Sequence, residues 1–341
     1  MRSQLIEFTA DGLFCPQADL YIDPWHPVEK AVITHAHADH AKWGHSFYLS
    51  HEDSESILRY RLDQDIKLET LSYGEHLVVN GVDISMFPAG HIIGSAQIRL
   101  EYQGEVWVVS GDYKLEDDNF CAPFEPVKCH TFITESTFGL PVYHWKPQAT
   151  ILNEVHEWWQ SNQQQNKASL LSAYSLGKAQ RILANLDMST GPVFLHGAIY
   201  NSNEVLRNSG LSLPEISKLT SDIPKEDINK SLVVAPPSAA QSSWAKRLKS
   251  FSNGVASGWM AVRGMKRRRA ADRGFIMSDH ADWEGLNQAV DATGAERVYV
   301  THGYTSVFSR WLEEQGYEAH EVDTLYEGES TDTRDEDEKE N

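Results

Sequence analysis

The sequence predicts an α/β protein, on two changes of texture along its 341 residues. Residues 1–147 are strand-rich. ADLYID, KAVIT, SFYLS, LVVNGVDISMF, AQIRLEY and EVWVVSGD are short apolar or alternating runs broken by Gly, Asp or Asn. A brief helical periodicity covers Glu52–Leu62. From Gln148 the pattern alternates. LNEVHEWWQSN, GKAQRILANL, NSNEVLRNS and QSSWAKRLKSF read as helices, and SLLSAY, PVFLH and SLVVAPP as strands. This is the βαβ rhythm of a parallel sheet. Phe275–Val322 then gives strand, helix, strand, helix, strand. The expected divisions are 1–147, 148–273, 274–326 and an acidic tail, 327–341. That tail holds eight acids and two bases with no apolar anchor, and reads as disordered.

Composition removes several classes. A hydrophobic content of 41% with 23% charged residues excludes a wholly disordered, collagenous or membrane-embedded chain. No run approaches the ~18 apolar residues of a membrane span. MRSQLIEFTADGLF lacks the basic and apolar regions of a signal peptide. Cys15, Cys121 and Cys129 are odd in number and form no CxxC, so a disulfide scaffold and a Cys-zinc site are not expected, and a reducing cytoplasm fits. The net charge is −19, of which the tail contributes −6. An acidic body argues against a sequence-blind DNA-coating protein. It leaves room for an enzyme that grips phosphates through metal ions or a local basic groove.

The strongest signal is ITHAHADH, Ile33–His40, directly after a strand. His35, His37, Asp39 and His40 are four ligand-type side chains within six residues. His35 and His37 point one way; Asp39 and His40, one turn on, reach a second place. The spacing suits two metals, and imidazole with carboxylate suits zinc. The alternative, a polar turn with incidental histidines, leaves buried imidazoles that are costly to satisfy. Two coordination spheres need more ligands, and strand ends supply His91 in FPAGHIIGS, Asp112 in VVSGDY and His302 in VYVTHGY. A lone strand-end histidine is usually structural; these three in order after HxHxDH support one another. A carboxylate at Asp112 could bridge both ions.

HAHADH followed by His91, Asp112 and His302 resembles the metallo-β-lactamase superfamily, and Asp23 in LYIDP matches its first motif, an acid that orients the ligands. The resemblance implies an αββα sandwich with a dinuclear zinc site at one sheet edge. By it, His35, His37 and His91 hold one zinc, Asp39, His40 and His302 the other, and Asp112 bridges. The fold alone does not give the substrate. The 190 positions between Asp112 and His302 exceed what simple thioesterases of the superfamily need. The excess, 148–273, looks like an inserted α/β domain. Glu135 in FITESTFG, His280 in FIMSDHADW and His302 in THG resemble the extra motifs of the β-CASP nucleases. A histidine at the last of these is kept by the RNA enzymes of that group, whereas the cross-link repair exonucleases have an apolar residue.

FTADGLFCP, SGDYKLEDDNFCAPFEPVKCHTFITESTFGLP, SAYSLGKAQR and SDHADW resemble more closely the bacterial ligase-associated DNA exonuclease family. That family is named for being encoded with an ATP-dependent DNA ligase, a DEXH-box helicase and a metallophosphoesterase. The resemblance implies a cytoplasmic exonuclease acting on single-stranded DNA or free DNA ends in repair. In that reading two zincs, replaceable by manganese, lower the pKa of water to about 7. Asp39, Glu135 and His280 form the catalytic group, with His280 the general acid and Glu135 fixing its tautomer. His280 as a helix-capping partner and Glu135 as an ordinary strand-end acid are the plainer alternatives.

Weaker signals remain. Arg263, Lys266, Arg267, Arg268 and Arg269 form the dense basic cluster of an acidic body, either binding phosphates or serving as a solvated turn. Ser175 and Lys178 stand where a strand meets a helix, a place where phosphate can bind, although SAYSLGKAQR is not a GxxxxGK[ST] loop. Trp158 and Trp159 read as core, and the remaining histidines, His196 included, as structural. The rival functions are an RNA-processing β-CASP nuclease, a thioesterase or lactonase, and a non-catalytic scaffold.

Overall fold

The computed structural model describes residues 4–326. The acidic segment 327–341, expected to be a disordered tail, lies outside the described residues. The chain divides into two compact units. One runs up to Tyr143 and resumes at Asp279; the other is His144–Ser278.

In the first unit, β1 (Glu7–Phe8), β2 (Leu13–Cys15), β3 (Leu20–Ile22), β4 (Lys30–Val32), β5 (Phe47–His51) and β6 (Leu68–Leu71) make one sheet in that order. The helical periodicity at Glu52–Leu62 becomes a 3₁₀ turn and helix α1 (Glu55–Arg61). A second sheet follows with β7 (His76–Val79), β8 (Val82–Pro88), β9 (Ala96–Tyr102), β10 (Glu105–Val109) and β11 (Thr131–Ser136). Period-two alternation assigns its two faces. Trp107 and Val109 of β10 join Leu13, Ile22, Val32 and Leu49 of the first sheet in one buried cluster, so the two sheets pack face to face. Val108, between them, faces the opposite way.

The second unit holds a five-stranded sheet of β12 (Ala168–Ser172), β13 (Val193–Leu195), β14 (Leu232–Ala235), β15 (Phe251–Ala256) and β16 (Arg273–Phe275), ordered β13-β14-β12-β15-β16. All its pairings are parallel, as the alternating pattern predicts. Its helices are α2 (Gln148–Gln164), α3 (Lys178–Asn185), α4 (Gly197–Asn208), α5 (Lys225–Lys230) and α6 (Met265–Arg268). QSSWAKRLKSF forms a 3₁₀ turn, Ser243–Leu248, rather than the expected α-helix. Ser242 caps Trp244 N, and Lys249, with a φ of 54°, ends the turn after six residues. The strand β15 escaped the sequence reading because FSNGVA is polar and contains Gly254. Its glycine is required: a Cβ there would lie 2.8 Å from the Trp158 ring. Trp159 is fully buried and Trp158 donates to Ser252 Oγ, so both are structural, as expected.

The chain then completes the first unit with α7 (Trp283–Thr293), β17 (Arg297–Gly303), α8 (Thr305–Glu314) and β18 (Glu318–Glu321). The second sheet becomes β18-β17-β11-β10-β9-β8-β7. Leu286 and Val290 of α7 and Phe308 and Leu312 of α8 cover its outer face against Val108, Phe132, Val298 and Val300. Strands β10, β11 and β17 run parallel, and so do β3, β4 and β5, so the loops leaving each set emerge on one edge of its sheet.

The loop after His40 is pinned to the body. His45 N donates to Tyr48 Oη at 3.1 Å, and Val28 N donates to His45 Nδ1 at 3.2 Å. Burial holds His45 down at about 4, so folded protein keeps it neutral where an unfolded chain would protonate near 6.5. The stability this gives is complete above pH 6.5 and is lost as pH falls toward 4. A His45→Gln variant should therefore show a shallower fall in Tm between pH 7 and 5 than wild type. Equal slopes would remove His45 from the acid response.

Candidate active site

Each strand-end residue singled out in the sequence lies just past, or in the last turn of, its strand. Asp23 follows β3, His35–His40 follow β4, His91 follows β8 and Asp112 follows β10. Glu135 is the penultimate residue of β11 and His302 that of β17. Asp23, His35, Asp39, His40, His91, Asp112, Glu135 and His280 are all buried.

Asp112 sits at the centre. Its Oδ2 lies 3.6 Å from His35 Nε2, 3.6 Å from His40 Nε2 and 3.8 Å from His91 Nε2. Its Oδ1 is 3.0 Å from His302 Nε2, without the angle of a hydrogen bond. Asp39 Oδ2 is 3.8 Å from His40 Nε2. Two glycines make the crowding tolerable. Gly111 has φ +58°, and a Cβ there would meet the Thr34 side chain at 2.7 Å. Gly303 has φ +95°, and its Cβ would meet Ser136 O at 2.3 Å. An extra residue in β17 opposite Thr134–Ser136 re-aims His302, and Ser136 Oγ donates to the carbonyls of Thr301 and His302.

The outer partners fix the imidazole tautomers. His40 Nδ1 lies 2.7 Å from Asp23 Oδ2, so a proton sits on Nδ1 and the lone pair belongs to Nε2. Thr34 Oγ1 gives its proton to Asp23 Oδ2 at 2.5 Å, so at 3.0 Å it can only accept from His35 Nδ1. His91 Nδ1 lies 2.8 Å from the Asp279 carbonyl, which only accepts. His35, His40 and His91 thus turn Nε2 toward Asp112. Nε2 of His35, His40 and His302 and Oδ1 of Asp112 are buried without a hydrogen-bond partner. Nε2 of His91 faces Nδ1 of His37 at 3.1 Å. Converging bare imidazole nitrogens around a carboxylate are the donor set of a divalent metal site, and their orphaned state is costly without one. Three such groups share Asp112: His35, His37, His91 and Asp112; His40, Asp112 and His302; and Asp112, Glu135 and His280, each within 4.8 Å. The residues fit a bound metal.

The electrostatics agree. Burial, then neighbouring imidazoles, holds His35 and His91 well below 6.5, so both stay neutral and able to ligate. His40 differs: burial would lower it, but the carboxylates of Asp112, Asp39 and Asp23 push it up to about 10, so its Nε2 holds a proton that a metal ion would have to displace. Burial raises Asp112, and His40, His302 and His280 outweigh it, leaving the carboxyl well below its usual range.

Beside this cluster stands a hydrogen-bonded pair. His280 Nδ1 lies 2.9 and 3.0 Å from the two carboxylate oxygens of Glu135. Glu135 also accepts from Tyr113 N at 2.9 Å and Thr137 N at 3.3 Å. His280 Nδ1 is 3.9 Å from Asp112 Oδ2. The cap of α7 is Asp282, which accepts from Gly285 N, so His280 has no capping duty.

The other candidates belong to the second unit. Arg263 and Lys266–Arg268 are exposed and Arg269 half-buried, with no ion pair among the described residues. Lys178 has no exposed surface and lies 4.8 Å over the Tyr174 ring, and Ser175 is buried. His196 caps α4 by accepting from Ala198 N. Sequence reasoning missed Thr34, the Asp279 carbonyl and Tyr326. Thr34 was readable as the hydroxyl preceding HAHADH. The other two carried no signal.

No family model matches the chain. Over 90% of its length the chain is 30% identical to a protein of Opitutus terrae named as a probable DNA ligase, of which it spans 30%. It is 26% identical to cleavage and polyadenylation specificity factor 73 of Drosophila melanogaster, over 64% of this chain and 36% of that one. It is 31% identical to endoribonuclease YSH1 of Saccharomyces cerevisiae, over 37% of this chain and 16% of that one. The chain thus spans 36% or less of each of these relatives. The crystal structure of a protein of unknown function from Enterococcus faecalis matches with a TM-score of 0.57, covering 86% of this chain and 78% of that one at 11% identity, which shows a common fold. With these relatives beside its ligand order, the chain is a homologue of the β-CASP nucleases of the metallo-β-lactamase superfamily.

Proposed function

We propose that the chain is a cytoplasmic metal-dependent exonuclease that hydrolyses phosphodiester bonds at DNA ends in repair. Its cofactors in this reading are two zinc ions, for which manganese can substitute. The observation that carries the proposal is the Glu135–His280 pair set against a carboxylate ringed by bare imidazoles. His35, His37 and His91 would hold one ion and Asp39, His40 and His302 the other, with Asp112 shared and Asp23 orienting His40. Bound there, divalent cations supply Lewis acidity toward a phosphate oxygen and acidify water.

The chain's own residues do the rest. Glu135 takes the Nδ1 proton of His280 as a hydrogen bond, which leaves Nε2 to pass a proton to the departing oxygen. Three further donor and acceptor contacts keep this geometry: two backbone N–H groups on Glu135, and the Asp279 carbonyl on His91 next to it. A thioester or lactone leaving group needs less of this machinery. Residues 148–273 are the candidate β-CASP insert, and the exposed basic run within them would bind the phosphate backbone.

DNA is favoured because the similarity to the probable DNA ligase extends over nearly the whole chain. It makes an ATP-dependent ligase, and with it a helicase and a metallophosphoesterase, the proposed partners. The competing reading is RNA processing, favoured by the match to an endoribonuclease and by His302. Purified protein with end-labelled single- and double-stranded DNA and RNA, with and without chelator, decides between them. Chelator-sensitive trimming of DNA is expected. Cleavage confined to RNA selects the competing reading, and no cleavage of either removes both.

The basic run gives a separate prediction. Substituting Lys266–Arg269 with alanine should weaken substrate binding and flatten its log–log salt dependence, by about one unit per lost contact at most. Metal content should not change. An unaltered slope would mark the run as a solvated turn.

A further inference from the structure

Asp23 occupies an improbable backbone position. Its φ is +43°, the left-handed region, and Pro24 follows it. A non-glycine residue there is costly, and a following proline restricts it further. Its side chain nevertheless serves both Thr34 and His40, so the strain coincides with the support of the ligand loop. Its own N–H donates to Val32 O at 2.9 Å. Its carbonyl accepts from Tyr326 Oη at 3.1 Å, across 303 positions of sequence.

Tyr326 makes three further contacts. Its ring stacks on His40 with centroids 4.4 Å apart and planes 8° apart. It meets His302 edge-on at 5.6 Å. Trp25, two residues past Asp23, packs edge-on against it at 5.5 Å. With Asp23, His40, Val109 and His302 it lines a small cavity behind the ligands. One side chain thus touches both histidines of the His40–Asp112–His302 group and the backbone of the acid that orients one of them. It comes from the stretch after β18, which the sequence marks only as the approach to an acidic segment.

We infer that Tyr326 is a positioning residue of the metal centre, holding the His40 ring by stacking and the strained Asp23 backbone by its hydroxyl. The inference rests on the proposed metal binding.

The test is zinc affinity and stoichiometry by competition with a chromophoric chelator, on full-length wild type, Tyr326→Phe and Tyr326→Ala. Melting of the metal-free proteins is followed alongside. Outer partners of metal ligands are worth about 10–100-fold in affinity. Tyr326→Ala should lose that much for one of the bound ions. Tyr326→Phe keeps the stack and should lose only a few-fold, and it serves as the folded control if the alanine variant does not fold. Wild-type affinity in the alanine variant overturns the assignment of Tyr326 and leaves the metal reading standing. So does an equal, tenfold or greater loss in both variants, because the stack would then contribute nothing. Wild type that binds no zinc overturns the metal reading beneath it.

Discussion

Asp112→Ala should strip the centre of metal and abolish hydrolysis. Asp112 lies within 4 Å of ring nitrogens on His35, His40, His91, His280 and His302, and it is the member common to the His35–His37–His91 and His40–His302 ligand groups. Among the described residues, no other carboxylate belongs to both of these groups. Without it, His40 loses one of the three carboxylates that raise its pKa, and the imidazole cluster loses its central negative charge. Elemental analysis should find well under one ion per chain in the variant and close to two in wild type. Added zinc should raise the Tm of wild type, since a ligand that binds only the folded state stabilises it, and should leave the variant unmoved. Asp112→Asn keeps the shape without the charge and should fail in the same way. A variant that retains both ions would remove Asp112 from the bridging role.

How much of this was readable in advance differs by interaction range. The turn HAHADH announces itself because four ligand types in six residues have few other uses, and the spacing of local contacts is written in the sequence. His91, Asp112 and His302 were legible as strand-end residues because parallel strands deliver their loops to one edge. The pairing of Glu135 with His280 spans 145 positions, and no local pattern encodes it. Resemblance supplied it, and the distances now give it a geometry. The Asp279 carbonyl on His91 Nδ1 was invisible because a backbone acceptor has no residue signature. Tyr326 was invisible for another reason. It stands alone at the edge of an acidic segment, and its role appears only when the chain folds it back over His40. A lysine opening a helix reads alike in sequence whether its ammonium faces solvent or, as for Lys178, lies over a ring such as that of Tyr174.

His280→Ala should separate proton transfer from metal binding. Both ions and most of the substrate affinity should remain, while turnover falls by about 10²–10⁴, the usual worth of a positioned general acid. Glu135 engages His280 at Nδ1 through both carboxylate oxygens, so that nitrogen is committed to orientation, and Nε2 alone can carry the transferred proton. Glu135→Gln keeps the shape but offers an amide that can equally donate, so it should lose turnover by a similar mechanism, as misorientation of the ring. The leaving group provides the sharper comparison. An aryl phosphodiester departs as a stable phenolate and needs little protonation, so it should partly restore the His280→Ala rate. The same substrate should do nothing for Asp112→Ala, whose defect lies in the metal centre. If His280→Ala loses zinc as completely as Asp112→Ala, then His280 is a ligand, in line with its place 3.9 Å from Asp112, and the general-acid role is wrong. If neither substitution slows the reaction, the hydrolytic reading of this cluster fails with it.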